Sequence, residues 1–290
     1  MTQFKRPSRF TKWILRLVLL SPVIILTLIN VLVPRMEVGD DELLEKLKSA
    51  NIDMEQLRLE YIEYRGEDLR FIQYGDSTKP LLLLIHGSPG DLSGFELYFK
   101  DEKLRSNFQL LAYDRPGFGK STAQARADLN DQYEALQLVL DQVAYRDLYL
   151  LGHSYGGAIV WSAFLQPLDG LKHSLVVAGS VDPALEPREW WRPVLDHDLV
   201  SWTIPRMLQS SNYEIKSLYN ELLTLDSIAV PSMNAMTVFQ GDEDKLVPAG
   251  NADYLANKVK GSKIIWFEEE GHFILWSKER EIADYIIGLL

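Results

Sequence analysis

Six short apolar runs, separated by longer stretches with helical periodicity, limit the fold of this chain more than any other feature. The runs are residues 81–85, 108–113, 148–151, 175–178, 236–239 and 264–267. Nearly continuous apolar runs of this length are typical of strands that are buried on both faces of a parallel sheet. The alternation therefore predicts an α/β fold, in which a mostly parallel sheet has helices on both of its faces.

Residues 61–75, "YIEYRGEDLRFIQYG", precede these runs and show a different pattern. Apolar and polar side chains alternate on both sides of a Gly-Glu-Asp sequence, which is typical of an antiparallel hairpin. We expect this hairpin at an edge of the sheet, with its turn at Gly66, Glu67 and Asp68.

Residues 148–161, "LYLLGHSYGGAIVW", place a serine where a predicted strand passes into a predicted helix. Gly152, Ser154 and Gly156 form a Gly-x-Ser-x-Gly motif, in which the glycines allow a turn sharp enough to expose the serine hydroxyl. A serine hydroxyl is a weak nucleophile at neutral pH, so it needs a base, a group that orients the base, and donors for an oxyanion. Ser154 is therefore a candidate nucleophile whose partners lie elsewhere in the chain.

The chain after this motif contains candidate partners in the order acid, then histidine. "MTVFQGDEDKLVP" has an acidic cluster after one apolar run, and "KIIWFEEEGHFILW" has His272 after the next. Upstream, "LLLLIHGSPG" and "AYDRPGFGKS" are similar to a His-Gly oxyanion loop and an Asp-x-x-Gly-x-Gly-x-Ser segment. With these five features in this order, residues 59–290 resemble the α/β-hydrolase superfamily, which implies a parallel sheet with an inserted helical cap.

The resemblance implies a role for each matching residue. Ser154 would be the nucleophile and His272 the general base. Asp244 matches the family's Gly-x-x-Asp-x-x-Val-Pro acid loop, and Asp242 competes with it for the role of the acid. The backbone N–H groups of Ser88 and Tyr155 would form the oxyanion hole; Pro89 has no N–H to offer.

The other four histidines are poorer candidates for the base. His86 precedes the oxyanion glycine and is expected to brace that loop, and His153 is the variable residue of the serine motif. His173 and His197 lie in segments without a recognisable motif.

The residue at the sharp turn also separates this chain from similar enzymes. Haloalkane dehalogenases and epoxide hydrolases resemble it but have an aspartate at that position, so Ser154 favours acyl transfer. "HGSPG" differs from the "HGGPG" of proline iminopeptidases, which favours an esterase acting on an ester, thioester or amide of small or lipidic character. The alternatives are a C–C bond hydrolase or an aminopeptidase of the same fold, or a ligand-binding protein without hydrolytic activity.

Composition excludes several other classes of function. The chain has no cysteine, and no two histidines have ligand spacing on one predicted helix, so we expect neither a metal nor another cofactor. Its net charge of -11 argues against a nucleic-acid partner, because the phosphates would be repelled.

The N-terminal region has the pattern of a membrane anchor. Residues 17–33, "LVLLSPVIILTLINVLV", are uncharged and mostly apolar. Five basic residues precede them, and Arg35 alone follows before an acidic run, so the N terminus is expected to be cytoplasmic and the hydrolase domain periplasmic or otherwise extracytoplasmic. A cleaved signal peptide and an interfacial helix are the alternatives. The basic residues are Lys5, Arg6, Arg9, Lys12 and Arg16.

These patterns divide the chain into three parts. Residues 1–36 would be the basic N terminus and single-pass anchor, and residues 37–58 a linker with an amphipathic helix that forms a stalk or packs on the body. Residues 59–290 would be the hydrolase domain, with the cap at about 182–231, which contains Trp190, Trp191 and Trp202.

Overall fold

An eight-stranded sheet forms the centre of the protein. The computed structural model describes residues 9–32, 37–50, 52–231 and 235–290. The strands are β1 (Leu57–Tyr64), β2 (Glu67–Tyr74), β3 (Leu81–Ile85), β4 (Gln109–Tyr113), β5 (Leu148–His153), β6 (Leu171–Val177), β7 (Ala235–Gly241) and β8 (Lys263–Phe267). Each apolar run predicted as a strand contributes one of β3 to β8.

Helices cover the sheet and fill the connections between its strands. They are α1 (Arg9–Leu32), α2 (Asp40–Lys48), α3 (Glu96–Lys100), α4 (Glu102–Asn107), α5 (Leu129–Leu140), α6 (Tyr155–Phe164), α7 (Arg192–Leu195), α8 (Asp198–Ser201), α9 (Arg206–Asp226), α10 (Gly250–Lys258), α11 (Ile274–Ser277) and α12 (Glu279–Ile287). Short 3-10 turns lie at Met54–Gln56 and Leu92–Phe95. Two large apolar clusters, one on each face of the sheet, form the core.

The strand order brings the candidate residues to one edge of the sheet. The order is β1-β2-β4-β3-β5-β6-β7-β8. β2 runs antiparallel to β1 and β4, and the other neighbouring strands are parallel. The predicted α/β fold with a mostly parallel sheet is therefore confirmed. Because the carboxyl ends of parallel strands meet at the same edge, the loops after β3, β5, β7 and β8 lie together there.

Two predicted details of the sheet differ from the structure. The hairpin turn lies at Arg65 and Gly66, both with positive φ (54° and 83°), and Glu67 already belongs to β2. Two positive φ values suit a two-residue turn that follows the twist of its strands. β6 begins at Leu171, earlier than the predicted residue 175, because polar His173 is accommodated by a 2.8 Å contact between its Nε2 and the Thr237 hydroxyl on β7.

The amphipathic helix α2 packs on the body of the protein. Leu43 and Leu47 are buried in the core cluster beneath the sheet. The chain just before α2 is also fixed, because the Val38 N–H donates to Asp91 at 3.3 Å and the Val38 carbonyl accepts from Arg70 at 3.1 Å. Of the two roles left open by the sequence, stalk or packed element, the structure shows the second.

Leu47→Ala is expected to lower the free energy of unfolding by about 2–5 kcal/mol, because it leaves a cavity in a closed part of the core. Leu44, on the same helix, is only partly buried, so Leu44→Ala should cost clearly less. Chemical denaturation of both variants tests this. Equal losses would mean that α2 does not pack as described.

Most of the predicted membrane anchor lies in helix α1. In residues 9–32 and the other described ranges, none of the helices has the length and apolarity that a bilayer crossing requires. Lys5, Arg6 and residues 33–36, on which part of the prediction rests, lie outside the described residues. The anchor and its orientation stay predictions.

The long connection between β6 and β7 contains helices α7, α8 and α9. α9 is tied to the loop after β4, because the Ser210 hydroxyl donates to the Gly117 carbonyl at 2.8 Å. Trp190 and Trp202 of this insertion are mostly exposed. The insertion corresponds to the stretch predicted to be a cap.

Candidate active site

Ser154 lies on a strained turn between β5 and α6. Its backbone has φ 55° and ψ -120°, a conformation that a residue with a side chain rarely adopts. The flanking glycines make the turn possible: a Cβ on Gly152 would lie 2.1 Å from the Gly156 carbonyl oxygen, and one on Gly156 would lie 2.3 Å from the Ile85 oxygen. The Ser154 N–H donates to the Val177 carbonyl at 3.0 Å and holds the turn against β6.

The structure pairs His272 with Asp244. His272 Nδ1 lies 2.8 Å from Asp244 Oδ2. The other carboxylate oxygen, Oδ1, accepts from the N–H groups of Leu246 and Val247, each at 2.9 Å. Asp244 is buried, whereas Asp242 is exposed. Of the two competing acids, Asp244 is the one in contact with the histidine.

The surroundings of Asp244 keep it ionised. Burial acts to raise the pKa of this carboxyl, but the hydrogen bond from His272, the N–H groups of Val247 and Leu246, and the charge of His272 outweigh burial and lower the pKa. A carboxylate in this position accepts a proton held on Nδ1. Nε2 of His272 is then free to act as a base.

A cavity of about 660 Å³ contains the candidate residues. Ser154, His272, Ser88 and Tyr155 all line it, and Asp244 stands behind His272. Four charged side chains also reach it: Asp91, Glu186, Glu189 and Arg192. Most of the remaining lining is apolar, including Phe95, Leu185, Ile215, Leu218, Leu246, Val247, Phe273, Leu275 and Trp276.

The loop after β3 lies directly against Ser154. A Cβ on Gly87 would lie 2.9 Å from the Ser154 Cβ, so this close approach requires glycine. Within the described residues, the N–H groups of Ser88 and Tyr155 donate to no other protein group. Two unpaired N–H groups beside a serine are the donors that an oxyanion needs.

His86 braces this loop. Its Nε2 accepts from the Arg115 N–H at 3.0 Å, so the proton lies on Nδ1, which donates to the Gly87 carbonyl at 2.8 Å. Burial and the nearby Arg115 charge hold the pKa of His86 well below its usual value. His86 is therefore neutral and does not compete with His272 as the base.

His153 packs against the candidate base, a contact that sequence patterns do not reveal. The centres of its ring and the His272 ring are 4.9 Å apart, and its Nε2 lies 3.2 Å from the His272 carbonyl oxygen. Burial lowers the pKa of His153 to about 3, so the ring is neutral beside His272. Its position next to Ser154 was visible in the sequence, but His272 is distant along the chain.

Glu186 also lines the cavity. Its carboxylate accepts a hydrogen bond from the Ser180 hydroxyl. Burial raises the pKa of Glu186, and the Ser180 hydrogen bond and the Arg192 charge oppose that rise. A carboxylate here would favour a neutral or cationic ligand over an anionic one.

Comparisons with known proteins concern the family and the fold of this chain, not its individual site residues. A family model described as alpha/beta hydrolase fold matches residues 80–209. Epoxide hydrolase 3 of Xenopus tropicalis is 27% identical over 158 residues, which are 53% of this chain and 39% of that protein. Proline iminopeptidase of Lactobacillus delbrueckii subsp. bulgaricus is 28% identical over 196 residues, which are 65% of this chain and 62% of that protein. The alignments thus span less than two thirds of either relative.

The comparison with solved structures concerns the fold alone. The crystal structure of a membrane phospholipase A, described as a bacterial virulence factor, superposes with a TM-score of 0.61 at 19% identity. The superposition covers 96% of this chain and 97% of that one.

Proposed function

Since this chain belongs to the α/β-hydrolase superfamily, we propose that it is a serine hydrolase that cleaves a carboxylic ester, thioester or amide. The observation that carries the proposal is the 2.8 Å contact between His272 and Asp244 in a cavity that Ser154 also lines. A base with a fixed tautomer, in the same cavity as a serine on a sharp turn, is suited to nucleophilic catalysis.

The reaction would proceed through an acyl-enzyme. The Ser154 hydroxyl attacks the acyl carbonyl carbon while His272 Nε2 takes its proton. The N–H groups of Ser88 and Tyr155 stabilise the negative oxygen that forms. The leaving group departs with the proton from His272. Water, activated by the same base, then releases the acid and restores Ser154.

The lining of the cavity supports an apolar acyl group. Hydrophobic side chains surround most of the space, and burial of apolar surface is the main source of affinity for such a group. Arg192, the cation among the lining residues, is already paired with Glu189. A substrate that carries free carboxylates, as ring-cleavage products do, would meet three carboxylates and one cation here, so C–C bond hydrolysis is less favoured.

An aminopeptidase is the second candidate. Glu186 and Glu189 would attract a substrate ammonium group, and a proline iminopeptidase is among the similar proteins. The residue at the turn argues against an epoxide hydrolase, because that class uses an aspartate where this chain has Ser154.

The test is labelling of the folded protein with a fluorophosphonate, followed by a hydrolysis screen over acyl esters of increasing chain length, amides and aminoacyl arylamides. We expect one label per chain, at Ser154, and the fastest turnover on esters. Faster turnover of arylamides with a free amino group would favour the aminopeptidase. Neither labelling nor turnover of any substrate would favour a ligand-binding protein and contradict the proposal.

We also propose that the N-terminal region holds the protein at a membrane. Five apolar side chains in residues 20–32 of α1 are between 52% and 55% exposed, and rows of exposed apolar surface normally have a partner. Those side chains are Leu20, Ile24, Ile25, Leu28 and Leu32. The excess of basic residues before the apolar run supports a cytoplasmic N terminus.

Reporters fused after Leu290 test this orientation. Alkaline phosphatase should be active there, because it needs an oxidising compartment, and a fluorescent protein that matures only in the cytoplasm should be dark. The matched control is the same fusion on a chain that begins at Glu37, which should reverse both readings. A mature protein that begins near Glu37, or the opposite reporter pattern with the full chain, would refute the anchor without affecting the proposed hydrolysis.

A further inference from the structure

A buried polar network connects the insertion between β6 and β7 to the loop that carries the Ser88 N–H. Its members are Arg115 after β4, Glu214 and Ser211 on α9, and the loop residues 86–88. Sequence motifs predicted none of these links. They join three segments that are distant along the chain, at the point where an oxyanion would form.

Arg115 is the centre of the network. Its guanidinium donates to the carbonyl oxygens of His86 at 3.1 Å and Gly87 at 3.0 Å. It also lies over the Tyr155 ring, with its central carbon 4.7 Å from the ring centre. One side chain thus contacts both segments that supply the proposed oxyanion donors.

Glu214 fixes Arg115 from the α9 side. The two form a bidentate ion pair, at 2.8 and 2.9 Å, and both side chains are fully buried. Burial raises the pKa of Glu214, while the charge and the hydrogen bonds of Arg115 oppose that rise. A bidentate pair sets orientation as well as distance.

Ser211 makes the second link to the same loop. The Ser88 hydroxyl donates to the Ser211 hydroxyl at 2.9 Å. Since Ser211 precedes Glu214 by about one helical turn, both residues lie on the same face of α9. The residue that would supply an oxyanion N–H is therefore held through its side chain by α9.

We propose that α9 positions the oxyanion loop through Ser211 and Glu214, so that both act as positioning residues for catalysis. This inference rests on the serine hydrolase function proposed above. Oxyanion donors contribute most when they are fixed before the reaction, since a small displacement of a donor weakens the stabilisation of the transition state. Ser211 and Glu214 would then affect turnover more than substrate binding.

Ser211→Ala is the clean test, because removing one partner of the buried Arg115–Glu214 pair risks unfolding. Ser210→Ala is the matched control: Ser210 is the preceding residue on α9, both serines are 6% exposed, and Ser210 bonds to Gly117 instead of the oxyanion loop. If α9 acted only as a structural support, the two variants would behave alike. Ser88→Ala keeps the backbone N–H and removes the link from the other side.

We expect Ser211→Ala to lower kcat by about 3- to 10-fold with KM unchanged, the change that one hydrogen bond produces. Affinity for a trifluoromethyl ketone should fall by the same factor. Ser154 adds to the ketone carbon, and the ketone oxygen then becomes the anion that the N–H groups of the loop and of Tyr155 bind. Ser88→Ala combined with Ser211→Ala should cost no more than the larger single change. Ser210→Ala should leave kcat and inhibitor affinity within about 2-fold.

Amide hydrogen exchange across residues 86–92 provides a measurement that does not require activity. Exchange should be faster in Ser211→Ala than in Ser210→Ala or the unaltered chain. Equal kinetics and equal exchange in the two variants would overturn the inference while leaving the proposed hydrolysis intact. Absence of turnover and of Ser154 labelling in the unaltered chain would instead refute the proposed function, and hydrogen exchange would still decide whether α9 holds the loop.

Discussion

Replacing Ser154 or His272 with alanine is expected to lower kcat/KM by about 10⁴- to 10⁶-fold, with little change in the fold. Nucleophile and base act as one unit, so loss of either forfeits nearly all of the rate that the unit provides. The residual rate would come from the oxyanion donors and from substrate binding alone. The double variant should therefore be no slower than the slower single variant. Steady-state kinetics on the best ester from the screen, with thermal unfolding of each variant, provides the measurement.

Ser162→Ala is a matched control for the nucleophile. Ser162 lies on α6, the helix that follows Ser154, and is fully buried, but it does not line the cavity. Its loss should leave turnover within about 3-fold. Near-normal turnover by Ser154→Ala, in a preparation free of contaminating esterase, would show that the proposed mechanism is wrong.

Asp244→Asn is expected to reduce kcat by about 10⁴-fold, because an amide at this position no longer fixes the imidazole proton on Nδ1. The geometry should survive, since asparagine has the same shape and its carbonyl oxygen can still accept from the Leu246 and Val247 N–H groups. Substrate binding should change little. The effect is therefore a test of charge and tautomer rather than of packing.

Asp242→Asn is the matched control for this second prediction. Asp242 has the same side chain and lies in the same loop, but it is exposed and does not contact His272. Its replacement should leave kcat within about 2-fold. A larger loss in Asp242→Asn than in Asp244→Asn would transfer the orienting role to Asp242.

Sequence patterns predicted the parts of the structure that depend on residues close together along the chain. The apolar runs at β3 and β5 are fully buried central strands. Their side chains are apolar on both faces of the strand, so neither face is suited to contact with water. Gly152 and Gly156 were predicted to permit a sharp turn, and the distances around them show that a Cβ has no room there. The resemblance to the family's acid loop favoured Asp244, which is the acid found beside His272.

Features that depend on distant partners could not be predicted in this way. Arg115 and Glu214 are 99 positions apart, and neither has a neighbour in sequence that reveals the pairing. The packing of α2 depends on a surface formed by other helices and the sheet, so its pattern alone left two roles open. The early start of β6 depends on Thr237, a partner on another strand.

The backbone at residue 154 has a consequence for how this sequence can change over time. A positive φ at a residue with a side chain costs on the order of 1–3 kcal/mol, whereas glycine adopts it almost freely. Replacement of Ser154 by glycine would therefore stabilise the fold, and selection for stability alone would favour it. A lineage that no longer needs the hydroxyl is therefore expected to lose serine at this position. Relatives that keep the serine are those in which the cavity is still in use.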